Sequence, residues 1–220
     1  MGERLARLLI THFFKFRLMA IIVNKEVFGG HAPEIWRGEC KVLPGGFALD
    51  NAQLASLPIG TVIRRGTPIV VDFEKKSANL CKTATVIKGG STTTFRVAKG
   101  HLFAVGDYIS KVGDGASTPS IKAIDRTNAE YDAITLSAAY SGLAEKDVVM
   151  EVANSAGTKP KYEPNAIVAS DKAIDGNNIV VLDAGYEAVV LYPSLAFPIL
   201  DAWKQGITMK LNPNILFINQ

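Results

Sequence analysis

Residue types that carry most chemistry at neutral pH are sparse in this chain. Histidine occurs three times, at His12, His31 and His101. Each is isolated, with no HExxH or His-x-His spacing to bring two imidazoles onto one metal ion. His101 follows Gly100 and reads as a turn or surface residue. Cys40 and Cys81 match no CxxC or Cys/His ligand spacing, so they read as free, partly buried thiols of a reducing compartment, with nothing demanding a disulfide. No GxSxG elbow presents a serine nucleophile. A hydrolase site assembled from distant residues, uniting His101 with Asp107, Asp125 or Asp132, is the catalytic arrangement that spacing alone leaves open.

Asp125, Glu130 and Asp132 gather carboxylates in one short stretch. Calcium needs a cage of about six to eight oxygens, and the EF-hand spacing is absent, so turn-forming chemistry explains the stretch. Lys88-Gly89-Gly90-Ser91-Thr92 matches neither GxxxxGK[ST] nor GxGxxG and reads as a turn between strands. Phe95, Phe103 and Tyr108 have apolar neighbours and read as core, not as a platform for stacking bases. These residues point to no catalytic group, no cofactor and no metal.

The elements that would position such residues are short and β-rich. The chain has 220 residues, 48% of them hydrophobic and 20% charged, enough to bury a core without disulfides or metal. A net charge of +3, with only Arg64-Arg65 and Lys75-Lys76 as adjacent basic pairs, points to no nucleic-acid partner. No apolar run approaches the roughly 20 residues a membrane helix requires, so no membrane role is expected. Abundant Val, Ile, Ala, Thr and Gly favour strands and turns.

Asp50 is the expected N-cap of a short helix over 48–57, with Gln53 as its capping-box partner and Pro58 as its stop. Strands are expected at 61–63, 69–71 and 80–87. Between Thr92 and Val152, short β-branched runs recur at 94–97, 108–112, 120–124, 133–136 and 148–152. Their turn signals, spaced roughly 8 to 12 residues apart, predict a small barrel or sandwich. Residues 153–164 read as a loop. Further strands are expected at 166–169, 179–182, 188–192 and 215–218, with a short helix over 197–205 that puts Leu200 and Trp203 on one face.

The N-terminal part is different in texture. Met1 to Leu18 mixes Arg4, Arg7, Lys15 and Arg17 with Leu and Phe. It reads either as a basic amphipathic arm or as an extended reading frame whose natural start is Met19. Residues 19–47, punctuated by Gly29-Gly30, Pro33, Gly38 and Pro44-Gly45-Gly46, read as an extended arm that lies across a folded body or reaches a neighbour.

The stretch Phe95-Arg96-Val97-Ala98-Lys99-Gly100-His101-Leu102-Phe103-Ala104-Val105-Gly106-Asp107-Tyr108 resembles segments of phage head fiber and head decoration proteins. The likeness continues from Ile124 to Leu136, through Ile59-Gly60-Thr61-Val62-Ile63-Arg64-Arg65-Gly66-Thr67-Pro68-Ile69, and from Asn165 to Val168. It covers roughly residues 48 to 220 and rests on glycines, turn acids and β-branched residues. The resemblance implies a mainly β fold: a β-rich body formed by 48–91 plus 153–220, an inserted small β-barrel or sandwich module at 92–152, one or two short helices, and an extended N-terminal arm within 1–47. It further implies a structural virion protein, a homotrimer on the outer capsid surface, made in the bacterial host cytoplasm from a phage or prophage gene. Its partner would be the major capsid protein, contacted through the arm by Ile21, Ile22, Val23, Phe28, Ile35 and Trp36. The alternative reading is a carbohydrate- or host-surface-binding β module displayed on a particle, which a surface cluster of aromatics on 92–152 would favour.

Overall fold

The computed structural model describes residues 34–113, 118–177 and 179–219. Strands account for 45% of the chain and helix for 7%, so the expected mainly β class is what forms. The first part contributes β1 (Trp36–Val42), β2 (Phe47–Leu49), helix α1 (Asn51–Ser56), β3 (Val62–Ile63), β4 (Pro68–Asp72) and β5 (Ser77–Leu80). The middle contributes β6 (Thr83–Gly90), β7 (Thr94–Ala98), β8 (Tyr108–Lys111), β9 (Ile121–Asp125), β10 (Tyr131–Leu136) and β11 (Val148–Val152). The return contributes β12 (Ala166–Val168), β13 (Lys172–Ala173), β14 (Val181–Leu182), β15 (Ala184–Leu191), β16 (Lys204–Gln205), β17 (Thr208–Met209) and β18 (Asn212–Ile218).

The first and last parts interleave in one ten-stranded sheet, ordered β14-β2-β5-β4-β12-β15-β18-β17-β16, with β1 added on β15. Strand β15 is the hub. Gly185 pairs with Ile167 of β12 and with Val42 of β1, while residues 188–191 run parallel to β18. Its lack of a side chain is required by packing, because a Cβ there would sit 2.5 Å from the Cys40 sulfur. The Asn212 amide donates to the carbonyls of Asn165 and Tyr186, both at 3.0 Å, which ties β18 and β12 end to end along the hub.

The middle strands form a second sheet of six, ordered β8-β11-β6-β7-β10-β9. Its apolar side chains alternate inward along β7 and β10, as in the buried Phe95, Val97, Ile134 and Leu136, and meet Ile109 and Val149 in a core of their own. The sheet curls until its ends touch at one corner, where Tyr108 bridges Ser120. It does not close into a barrel. The sheet also begins at Thr83, earlier than the boundary at 92 expected from sequence, because β6 pairs with β11 as well as with β7.

Two expected features come out differently. Residues 34–47 are part of the body, not of an arm. Ile35 is buried, and Trp36 pairs with Val190 and packs beside the core around Ile167 and Phe217. The strand β1 pairs on one side with β15 of its own chain. Its bulge between Arg37 and Lys41, with Gly38 at φ 75°, and its exposed Arg37, Glu39 and Lys41 guard the outer edge against further pairing. Over 197–205 only a single 3-10 turn forms, Asp201–Trp203, yet Leu200 and Trp203 are both buried and join one apolar cluster.

Candidate functional site

The residues with chemical potential converge where the two sheets meet. Chain passes from body to module at Cys81-Lys82: the Cys81 amide still donates to Pro68 in the body, and Thr83 opens β6. It returns through Val152, which bridges Pro160, and Lys161, whose amide donates to Glu151. Apolar contacts around Cys81, Met150, Val152, Leu200 and Trp203 fill the seam. The Thr83 hydroxyl donates to the Pro198 carbonyl across it at 2.8 Å.

The loop 99–107 is the second link. Its consecutive residues Leu102 and Phe103 are 1% and 0% exposed and enter different cores: Leu102 packs with Leu80 and Ile69 in the body, Phe103 with Phe95 and Ile109 in the module. Two side chains fix this backbone. The Asp107 carboxylate accepts from the Ala104 amide at 2.8 Å, and His101 Nδ1 accepts from the Phe103 amide at 3.1 Å.

That second bond settles the tautomer of His101. With Nδ1 accepting, the ring proton sits on Nε2, which faces Asp132 Oδ2 at 3.3 Å. Arg126 Nη1 lies 3.3 Å from Nε2 and 3.4 Å from Asp132 Oδ2, so its proton goes to the carboxylate. Lys99 donates to the other carboxylate oxygen at 2.7 Å. Burial pushes His101 down to about 4, and the Arg126 charge acts in the same direction against the pull of Asp132. At neutral pH the ring is therefore uncharged. The expected surface histidine is instead a buried one, because its neighbours Leu102 and Phe103 carry it inward between two cores.

A second buried cluster lies at the seam itself. The Lys82 side chain is 2% exposed and donates to Asp107 at 2.7 Å. Its ammonium stands 3.7 Å from Glu151 Oε2, while Lys161 donates to Glu151 Oε1 at 2.7 Å. Burial raises the Glu151 carboxyl above its ordinary range, although Lys82 pulls it down. Burial also raises the Cys81 thiol well above normal, with the Glu151 charge adding to it, so this thiol is inert as a nucleophile. The Trp203 indole donates to Tyr162 O at 3.1 Å beside the cluster. Lys82, Glu151 and Lys161 were not singled out from sequence. The available signal was Glu151 inside the apolar run Val148-Val149-Met150-Glu151-Val152, a carboxylate where a core residue would be ordinary.

The remaining candidates disperse. Asp125 is exposed and is held below its ordinary range by the Thr127 amide and hydroxyl. Asp132 faces inward, so the acidic stretch does not converge, and among the described residues no cluster of His, Cys, Asp or Glu could hold a metal. Of the residues named with His101, only Asp132 touches it. The turn expected over Lys88–Thr92 begins later, because β6 runs on through Gly90, which pairs with Phe95; Gly89 to Thr92, with Tyr140 and Glu145, line a cleft of about 280 Å³. An apolar groove of about 470 Å³ between α1 and residues 174–177 contains no ionisable side chain. Phe95, Phe103 and Tyr140 are buried, and Arg96 lies 4.4 Å above the Tyr131 ring, so the surface aromatic cluster that would favour glycan binding is not assembled from these residues. Both cysteines are free thiols. Ile21, Ile22, Val23 and Phe28 lie outside the described residues, and Ile35 and Trp36 are engaged by the body.

Comparison with protein-family profiles, with curated proteins and with solved structures found no match to this chain.

Proposed function

We propose that this chain is a structural protein of a phage or prophage particle, seated on the outer surface of the capsid as a head decoration or head fiber protein and acting without catalysis or cofactor. The observation that carries the reading is the use made of its resembling segments. Residues 59–69, 95–108, 124–136 and 165–168 contribute to β3, β4, β7, β8, β9, β10 and β12 and to the loop that joins the two cores. Their glycines, turn acids and β-branched residues build a mainly β scaffold, which supports the reading. The ionisable groups inside that scaffold point into seams and hold them. Both ring nitrogens of His101 face protein groups, and Lys82 and Glu151 are turned toward each other.

The partner in this reading is the major capsid protein, and a homotrimer is the assembly. Many identical modest contacts on a shell add through effective concentration, so each need not be strong. Because Ile35 and Trp36 belong to the body, the reach toward the shell falls to residues before 34, including Ile21, Ile22, Val23 and Phe28. The test is co-sedimentation of the purified protein with expanded and unexpanded capsids of the encoding phage, using the full chain and a version lacking residues 1–33. The expected result is saturable pelleting of the full chain with expanded capsids and loss of pelleting for the shortened one. Failure of the full chain to pellet with either capsid form would overturn the proposal. Pelleting of both versions alike would remove the arm from it.

A further inference from the structure

Loop 99–107 pins the module to the body through one side chain, and one imidazole holds that side chain in place. Leu102 is inserted in the body core while its successor Phe103 is inserted in the module core. The backbone between them is fixed by the Phe103 amide donating to His101 Nδ1. We propose that His101 is a proton-operated catch: when its Nδ1 takes a proton, the loop lets go of the body core and the junction between module and body loosens.

The geometry allows no comfortable protonated state. A proton on Nδ1 would face the Phe103 N–H at 3.1 Å, placing two donors against each other in a buried site. The new charge would join two cations already present, Lys99 from the same loop and Arg126 from the turn after β9. One carboxylate faces all three, Asp132 on β10, and it already accepts from both. Asp107 at the far end of the loop is committed to Lys82 and to the Ala104 amide. Moving the ring into water restores its hydration and removes the clash, but Leu102 and Phe103 move with it. The direction follows from the shift of the ring from 6.5 to about 4 on closure. The open loop binds the proton more readily, so closure is secure above pH 6.5 and is lost progressively as pH falls toward 4.

The test is hydrogen exchange of the full chain, read by mass spectrometry on peptides spanning 99–107 and corrected for the intrinsic effect of pH. Between pH 7 and about 4.5 the opening equilibrium of the loop should rise roughly 50-fold, as linkage to a ring that regains an ordinary affinity on opening requires. The amides of β4 should keep their protection. His101→Asn retains an acceptor oxygen near the Nδ1 position and does not titrate, so its loop should show no such rise. A wild-type loop indifferent to pH, an equal rise in His101→Asn, or an equal loosening of β4 would each overturn the proposal. If His101→Asn does not fold, NMR of the wild-type chain decides. The Phe103 amide and Leu102 methyl signals must shift with the midpoint of the His101 ring, and signals that stay fixed while the ring titrates would overturn it.

Discussion

Among the described residues, the middle of the chain and its flanks treat buried polarity in opposite ways. From Lys82 to Glu151 the chain buries two carboxylates, a lysine and a histidine: Asp132, Glu151, Lys82 and His101. In the body the buried polar side chains are Gln53 and Thr67, both neutral. The amide of Gln53 donates to Leu80 O at 3.2 Å and accepts from Leu80 N at 2.7 Å, a role that no proton alters between pH 4 and 7. The body's ion pairs, such as Lys41–Glu187 and Arg64–Asp171, lie at the surface. The difference teaches where this fold senses its surroundings. The body's interior thus holds no charge for a proton to change, and its titrating groups lie at the surface, whereas the seam and the module bury charges whose balance a proton can change.

Removing one partner of the seam's charges should have the largest effect. Lys82→Met strands Glu151 Oε2 and Asp107 beside an apolar wall, and loss of about 3–5 kcal/mol is expected from breaking a buried pair on one side only. Chemical denaturation at several pH values checks this. The loss should be greatest at neutral pH and shrink in acid: without the lysine the Glu151 carboxyl rises further, and a folded carboxyl above its unfolded range destabilises as pH climbs through it. A loss independent of pH would mean that the contrast between the two regions is one of packing, not of charge.

A body counterpart sharpens the comparison. Gln53→Leu leaves the Leu80 amide and carbonyl unsatisfied, for about 1–3 kcal/mol. That loss should be the same at pH 4.5 and pH 7 in the same denaturation series, since neutral partners have no proton linkage. A smaller effect is expected at the start of α1. The Asp50 carboxylate accepts from the Ala52 and Gln53 amides at 3.0 and 3.2 Å, and Asp50→Ala should lower stability by about 1 kcal/mol in the same assay.

Asp50 also shows how far local reading reaches. Its position before an apolar-periodic run marks it as a cap, and it is one. Gln53 looked like the reciprocal partner of a capping box, but its side chain turns to Leu80, 27 residues on, while the Asp50 amide donates to Ala78. The helix start is a matter of adjacent atoms; the competition for Gln53 is decided by where β5 passes. The strands 94–98, 108–111, 148–152 and 166–168 were similarly legible, because alternation and β-branching act within a few residues. Strands β1, β2 and β17 were not, since Trp36–Val42 contains a glycine and charges, and the other two are three and two residues long.

The candidate site was the least legible part. Gly100-His101 has the composition of a turn, and the chain does turn at Lys99-Gly100, yet Leu102 and Phe103 draw His101 between two cores where it loses its water. Lys82, Glu151 and Lys161 meet only because β6 and β11 pair and the chain then bends back at Pro160.

The amino-acid order alone determined the β-rich class, the positions of most long strands, the cap of α1 and the scarcity of paired reactive groups, since each depends on neighbours within a turn or a pleat. Tertiary structure alone decided which strands share a sheet, that residues 34–47 join the body, and which charges are buried. Those outcomes depend on contacts between residues distant along the chain, and on the water excluded when two cores close over them.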